Sequence, residues 1–386
     1  MASSLPRWPS PITSWSPARG GSSRTTRSLT CQRDRSGLFR ALRDLQKERT
    51  GQVPAPTPPG IHRGSQPARP FYPFWKSEMT PTVIPAEAAD WARGHVGRQA
   101  AWALPVDLSG ARAWRMSSPQ GLIDLRITRN DDDFRREIYA HRNAIRHLSP
   151  SHGPRLLANE PRLRSLLTVQ PRGWRVDSAN LQLLLRVHEE AGRLLRVLHD
   201  SVGRHDKSCT QAARTTALYV QRIRALVRQV GAVMPTTQHD AVERSAAIVL
   251  EHVRELPAAF CHGAFGPSTW EWQSQSQTLS FTGFGRSQVM AAVVDLARPA
   301  LLWAKQPNLR NWFFKGYGRA LLQSEVLILG HMSVLAASED LLHAIHLRDR
   351  ESIAAAAAVL RQTVDHAEMP IGGASLAPAD VQDRCS

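Results

Sequence analysis

The chain has 386 residues, a formal net charge of +16 and four cysteines. That length allows two or more domains. Cysteines at 31, 209, 261 and 385 have neither metal-ligand nor redox spacing, which argues against a zinc module or a disulfide scaffold and for a reducing cytoplasm. No uninterrupted apolar run reaches membrane-spanning length, and prolines and arginines break up any secretory segment after Met1.

The charge is unevenly spread. Residues 1–78 hold thirteen Lys and Arg against four Asp and Glu, and eleven of the 26 prolines. Such a segment cannot bury enough apolar surface to offset its ordering entropy, so it reads as a disordered basic tail. Two other readings stand beside it: an acid-poor targeting peptide, or an overextended gene start with Met79 as the alternative. A nucleic-acid-binding arm is disfavoured, because the tail lacks aromatic platforms for base stacking. The remaining residues carry a net charge of only +7.

From 79 to 170 the pattern is that of a small β-rich lobe. Residues 86–97 predict a short helix. Strands are expected at 111–116 and 122–127, on either side of Pro119-Gln120-Gly121. A helix follows at 131–148; its first-turn residues Asp131, Asp132 and Asp133 favour the helix dipole. Residues 162–169 predict another strand. Ser109-Gly110 is the one hint of a glycine-rich phosphate loop.

Residues 171–370 read as mainly helical. Leu184, Val187, Ala191, Leu194 and Leu198 recur at helical spacing within 179–200. Further helices are expected at 211–230, 238–256, 308–323, 324–347 and 350–366, the last supported by the alanine run 354–358. A loop-and-strand section occupies 260–283, and 371–386 reads as a flexible tail. His343 and His346 lie at i, i+3 on an expected helix, but two ligands without a third make a weak metal site.

The most informative stretch is Cys261-His262-Gly263-Ala264-Phe265-Gly266-Pro267-Ser268-Thr269-Trp270. It is followed by Phe281-Thr282-Gly283-Phe284-Gly285-Arg286 and by Val294-Asp295-Leu296-Ala297-Arg298. This succession resembles the catalytic segment of the aminoglycoside phosphotransferase and choline kinase-like superfamily, distant relatives of protein kinases. The resemblance covers roughly residues 90–325. Gly153-Pro154-Arg155-Leu156-Leu157, the helix ending Leu198-His199 and the stretch 308–319 follow in the family's order. It implies an α+β, bilobal kinase-like fold, with a small β-rich N-lobe and a larger helical C-lobe.

The resemblance also implies where the chemistry belongs. Ala264 stands at the catalytic Asp position, Thr269 at the metal-binding Asn and Gly283 at the metal-binding Asp. His262 matches the motif histidine, which braces the loop, and Asp295 matches the second aspartate, which buttresses it. By order, Arg126 takes the nucleotide-phosphate lysine position and Glu137 that of its glutamate partner; Arg keeps the charge but differs in shape and reach. An exposed strand Arg and a solvated helix Glu is the other reading of these two. If 269–273 is extended, Glu271 faces the same side as Thr269 and offers one substitute metal ligand.

Three functions follow. The first is a pseudokinase that binds a protein partner or small molecule in the old cleft, with no cofactor expected. The second is an active phosphotransferase that uses ATP and Mg²⁺ on a hydroxyl of a small metabolite or antibiotic. The third is a nucleic-acid-associated protein acting through its basic tail.

Overall fold

The computed structural model describes residues 83–97, 104–108, 111–118, 121–171, 173–176, 181–201, 206–230 and 234–367. All of them fall within the unit Ile61–Ser386. The segments 1–78 and 371–386, Met79 and the Ser109-Gly110 pair lie outside the described residues.

The upper lobe is one antiparallel sheet. Its strands are β1 (Leu104–Leu108), β2 (Ala111–Ser118), β3 (Gly121–Thr128), β4 (Arg155–Glu160) and β5 (Ser165–Gln170), in the order β1-β2-β3-β5-β4. Alternation along each strand sorts the side chains. On one face, Trp114, Met116, Ile123, Leu125, Ile127 and Leu167 pack on Ala88 and Ala92 of helix α1 (Ala86–Val96). The other face carries Arg115, Asp124, Arg126 and Thr168. It meets helix α2 (Asp131–Asn143), whose Phe134 and Ile138 pack on Leu166. With both faces covered, β3 is buried almost throughout. Asn130 caps α2 by accepting the Asp133 N–H at 2.8 Å. The helix stops at Asn143 rather than at 148, where a 3₁₀ turn (Ile145–His147) leads into extended Leu148.

The chain crosses to the lower lobe through β6 (Trp174–Arg175). This short strand pairs with β8 (Trp270–Gln273), which in turn pairs with β9 (Thr278–Phe281). A second small sheet joins β7 (Ala258–Cys261) to β10 (Gln288–Ala291). Around them lie α3 (Leu181–His199), α4 (Asp206–Gln229), α5 (Thr236–His252), α6 (Val293–Trp303), α7 (Pro307–Tyr317), α8 (Gln323–Leu347) and α9 (Arg350–Ala367). The result is an α+β fold with a small antiparallel lobe and a larger helical one.

The lower lobe also departs from the sequence expectation. Helix α4 starts at Asp206, five residues early. Helix α6 was not expected; Pro299 within it masks its helical pattern. The helix expected at 308–323 ends at Tyr317, because Gly318 takes the left-handed conformation (φ 74°) and caps it. Helix α8 is long and apolar enough to cross a membrane by composition, but 67 % of its apolar stretch is buried inside the protein.

Candidate functional site

The site is built around one buried carboxylate. Asp295 sits in the first turn of α6 and is fully buried. Its Oδ2 accepts the backbone N–H of His262 at 2.6 Å, and its Oδ1 accepts that of Gly263 at 2.8 Å. His199, the last residue of α3, donates from Nε2 to Oδ2 at 3.3 Å and accepts at Nδ1 from the Tyr317 hydroxyl at 2.7 Å. Asp295 thus ties the loop after β7 to two helices.

His262 is also fully buried. Its Nε2 donates to the Thr282 carbonyl at 2.9 Å, and its Nδ1 accepts the Ala264 N–H at 3.3 Å. That pattern fixes the neutral tautomer. Burial lowers its pKa, against the pull of the Asp295 charge. Gly263 has φ 78°, and a Cβ on it would lie 2.4 Å from the Arg286 carbonyl oxygen. Only glycine lets the loop run so close to the segment after Gly283.

The two expected metal-ligand positions are neighbours. Gly283 adopts φ 84°, and a Cβ there would stand 3.7 Å from Thr269 Cγ2. The Thr282 N–H donates to the Thr269 carbonyl at 3.0 Å. The Thr269 hydroxyl donates to the Gly266 carbonyl at 2.9 Å. Thr269 belongs to a 3₁₀ turn (Pro267–Thr269), so β8 begins one residue later than the extended 269–273 expected from sequence. Glu271 is half-buried on that strand, between buried Trp270 and Trp272. Ala264 is buried and contributes no oxygen from its side chain.

In the upper lobe, Arg126 on β3 and Glu137 on α2 form a buried ion pair, Nη1 to Oε1 at 2.6 Å. Burial pushes the Glu137 carboxyl up, while Arg126 pulls it down. Gly285 faces the pair: a Cβ on it would lie 3.5 Å from Arg126 Nη2 and 3.7 Å from Glu137 Oε2. The upper lobe therefore rests on the Gly283-Phe284-Gly285 turn of the lower one.

A second network escapes sequence reasoning. Arg298 on α6 reaches Glu339 at 2.8 Å and Asp340 at 3.0 Å on α8. Arg286 reaches Glu339 at 3.0 Å, and the Tyr219 hydroxyl donates to Glu339 at 3.0 Å. Burial works to raise the Glu339 pKa, but Arg286 and Arg298 hold it at about 2. The network clamps the segment after Gly283 onto α8. The one signal in the sequence was Arg298, three residues after Asp295. His199, Cys261 and Asp295 also bring possible ligand atoms within 4.8 Å of one another; His199 and Asp295 are already engaged in the hydrogen bonds above.

The loop after β7, its Asp295 buttress and the Arg126–Glu137 pair thus form one connected core. No family model of sequences and no curated protein matches the chain. Solved structures do. A choline/ethanolamine kinase family protein from Mesorhizobium loti superposes with a TM-score of 0.53 at 17 % identity, covering 73 % of this chain and 96 % of that one. The GDP complex of aminoglycoside 2'-phosphotransferase-IIIa gives 0.51 at 12 % identity, with coverage of 70 % and 93 %. The gentamicin complex of APH(2")-IIa gives 0.51 at 12 %, with 73 % and 97 %.

The chain has the aminoglycoside phosphotransferase and choline kinase-like fold.

At these identities the likeness speaks for the fold. Within this kinase-like frame, the β3 arginine and the α2 glutamate pack on the turn after Gly283. His343 and His346 lie on α8, away from these residues in sequence and element. Asp131, Asp132 and Asp133 form the first turn of α2, with the Asp133 backbone held by the Asn130 cap.

Proposed function

We propose that the chain is a non-catalytic member of this fold, a pseudokinase that binds a protein partner or a small molecule in its cleft. The observation that carries the reading is the Thr269–Gly283 contact. Phosphoryl transfer depends on positioning the nucleotide, holding Mg²⁺ and orienting the acceptor hydroxyl. Mg²⁺ wants oxygen ligands, chiefly carboxylates and phosphates. Gly283 has no side chain to offer, and Thr269 offers one neutral hydroxyl, which donates to the Gly266 carbonyl. Ala264 lacks the carboxylate that would orient an acceptor, a group that typically contributes about 10²–10⁴-fold.

These residues do not fit Mg²⁺, so no transfer step is derived through a metal-bound nucleotide and no cofactor is expected. What the chain keeps is the framework: Asp295, His262 and His199 hold the loop in shape. A framework without its reactive groups favours recognition over chemistry.

The test uses the full chain with Mg²⁺–ATP and Mg²⁺–GTP, and with gentamicin and choline as acceptors, probes suggested by the ligands and names of the fold neighbours. Phosphoryl transfer is expected to stay at background. Robust turnover that Glu271→Gln abolishes would overturn the proposal; it would establish the active phosphotransferase, with Glu271 in the metal-binding role.

A further inference from the structure

Strand β9 is an edge strand of the three-stranded sheet in the lower lobe. The outward backbone groups of such a strand need partners from outside the sheet. One residue supplies two of them. His152 lies in the loop that leads from α2 to β4, so it belongs to the upper lobe. Its carbonyl accepts the Phe281 N–H at 3.0 Å, and its ring Nδ1 donates to the Leu279 carbonyl at 2.6 Å. Leu279 and Phe281 are two residues apart, so both groups point to the same edge. His152 does for β9 what a neighbouring strand would do.

The ring is also held from its other side. A carbonyl can only accept, so Nδ1 carries the proton and Nε2 is an acceptor. Arg193 on α3 stands with Nη2 3.5 Å from Nε2, and Glu190 holds that guanidinium at 2.6 and 2.8 Å. Two elements of the lower lobe, β9 and α3, therefore meet one side chain of the upper lobe. The loop that presents it is stiff. A Cβ on Gly153 would lie 3.1 Å from Ile145 Cγ2 and 3.3 Å from Leu148 Cδ1. Ile145 and Leu148 are buried where α2 gives way to the 3₁₀ turn, so His152 moves with α2. Midway along α2, Tyr139 stacks on Phe260 of β7, with ring centroids 5.9 Å apart. That contact is non-directional packing, whereas the hydrogen bonds of His152 fix direction as well as distance.

We propose that His152 is an interlobe latch: by closing the edge of β9 it fixes α2, and with it the upper lobe, on the lower one. The inference goes beyond the non-catalytic reading and does not depend on it, since His152, Leu279 and Phe281 are not among the positions that reading uses. Two-lobed proteins open by rotation about a few connecting residues that absorb the backbone change. The crossing through β6 is one such connection. His152 adds a second, made of hydrogen bonds rather than chain. Two connections at different places remove the rotation that one alone permits. Release of His152 restores that rotation and uncovers the edge of β9.

Hydrogen exchange on the full chain, read in peptides by mass spectrometry, tests the latch. His152→Ala is expected to speed exchange about tenfold or more in 278–282, which holds the latched edge, since local opening sets the exchange rate. As the lobes part, the turn 284–287, on which α2 rests, should speed up as well. Segments 122–127 and 307–317 each lie inside one lobe and should stay within about threefold of the wild type. His152→Asn places an amide N–H where Nδ1 stands, and it should bring both fast segments back to within about threefold. His152→Gln reaches only the Nε2 position and should not; it also takes the place of His152→Ala if that variant lacks a cooperative melt. Faster exchange in 278–282 alone would make His152 a local cap on β9 and overturn the latch. An unchanged rate in both segments would overturn it too, as would an equal rise in all four segments, the mark of global destabilisation. None of these results touches the non-catalytic reading, which falls only if the wild type turns over.

Discussion

Asp295 accepts the backbone N–H of His262 at 2.6 Å from a carboxylate that solvent does not reach. The contact holds the backbone of the loop after β7 in place. Asp295→Ala leaves the His262 and Gly263 N–H groups and His199 Nε2 buried without that acceptor. Each such group costs about 1–3 kcal/mol, so the variant is expected to lose about 3 kcal/mol or more in urea unfolding. Asp295→Asn keeps one acceptor oxygen and is expected to lose less. An unchanged midpoint for Asp295→Ala would show that the buttress does not hold the loop.

The crossing of α3 and α7 makes a sharper structural prediction. A Cβ on Gly192 would lie 2.1 Å from the Phe313 carbonyl oxygen, and one on Gly316 would lie 1.8 Å from that of Glu189. These clashes are with backbone, which cannot rotate away. Gly192→Ala and Gly316→Ala should each cost more than the roughly 1–3 kcal/mol usual for overpacking. Gly318→Ala is the control. It has open space around it and only a left-handed φ to tolerate, so about 1–2 kcal/mol is expected. Equal melting temperatures for the three variants would contradict this account.

Much of the site was legible because its residues sit at fixed short spacings. His262, Ala264, Thr269, Gly283 and Asp295 occupy one stretch of some 30 residues, and the resemblance assigns each by register. Arg126 and Glu137 were legible by order, since a strand and a helix follow each other closely. The contacts of His199 with Tyr317 and of Arg298 with Glu339 were not, because each joins residues far apart in sequence. No local period marks such a pair; only folding brings it together. Arg115 and Asp124 were hidden for another reason. In a strand that reads as apolar, a charged residue suggests a solvent-facing position, yet here its partner lies on the neighbouring strand and both turn inward. The end of α7 at Tyr317 was overrun because Leu321 and Leu322 continue the apolar spacing past Gly318.

The Glu339 network should appear in the acid limb of stability. Its carboxyl is held at about 2 in the folded chain, chiefly by Arg286 and Arg298 acting against burial, whereas an unfolded Glu titrates near 4.3. A depressed pKa contributes stability that is fully present above the unfolded value and is lost as pH falls through the folded one. About two pH units of separation correspond to about 3 kcal/mol at most. Glu339→Gln cannot titrate and is less stable at pH 7. The gap between wild type and variant in denaturant melts should narrow from pH 5 to pH 2. A constant gap would mean that the Glu339 charge is not what the two arginines hold.

Placing oxygen-bearing side chains at Ala264, Thr269 and Gly283 tests the non-catalytic reading directly. Gly283 has a left-handed backbone that Asp tolerates better than most residues, and its nearest neighbour, Thr269 Cγ2 at 3.7 Å, is an ordinary contact. The triple variant Ala264→Asp, Thr269→Asn, Gly283→Asp is therefore expected to fold. It should gain Mg²⁺-dependent affinity for tripolyphosphate, which presents phosphates without a base. At a tenfold excess of ligand over Kd the stabilisation would be about 1.4 kcal/mol, visible as a rise in Tm that disappears with a chelator. Ala264→Asp alone should show no such rise, because the metal remains unheld. Hydrolysis of ATP by the triple variant should be weak, since Arg126 differs in shape and reach from a lysine. A folded triple variant whose Tm ignores Mg²⁺ and tripolyphosphate would show that more than these three side chains separates this cleft from a working one.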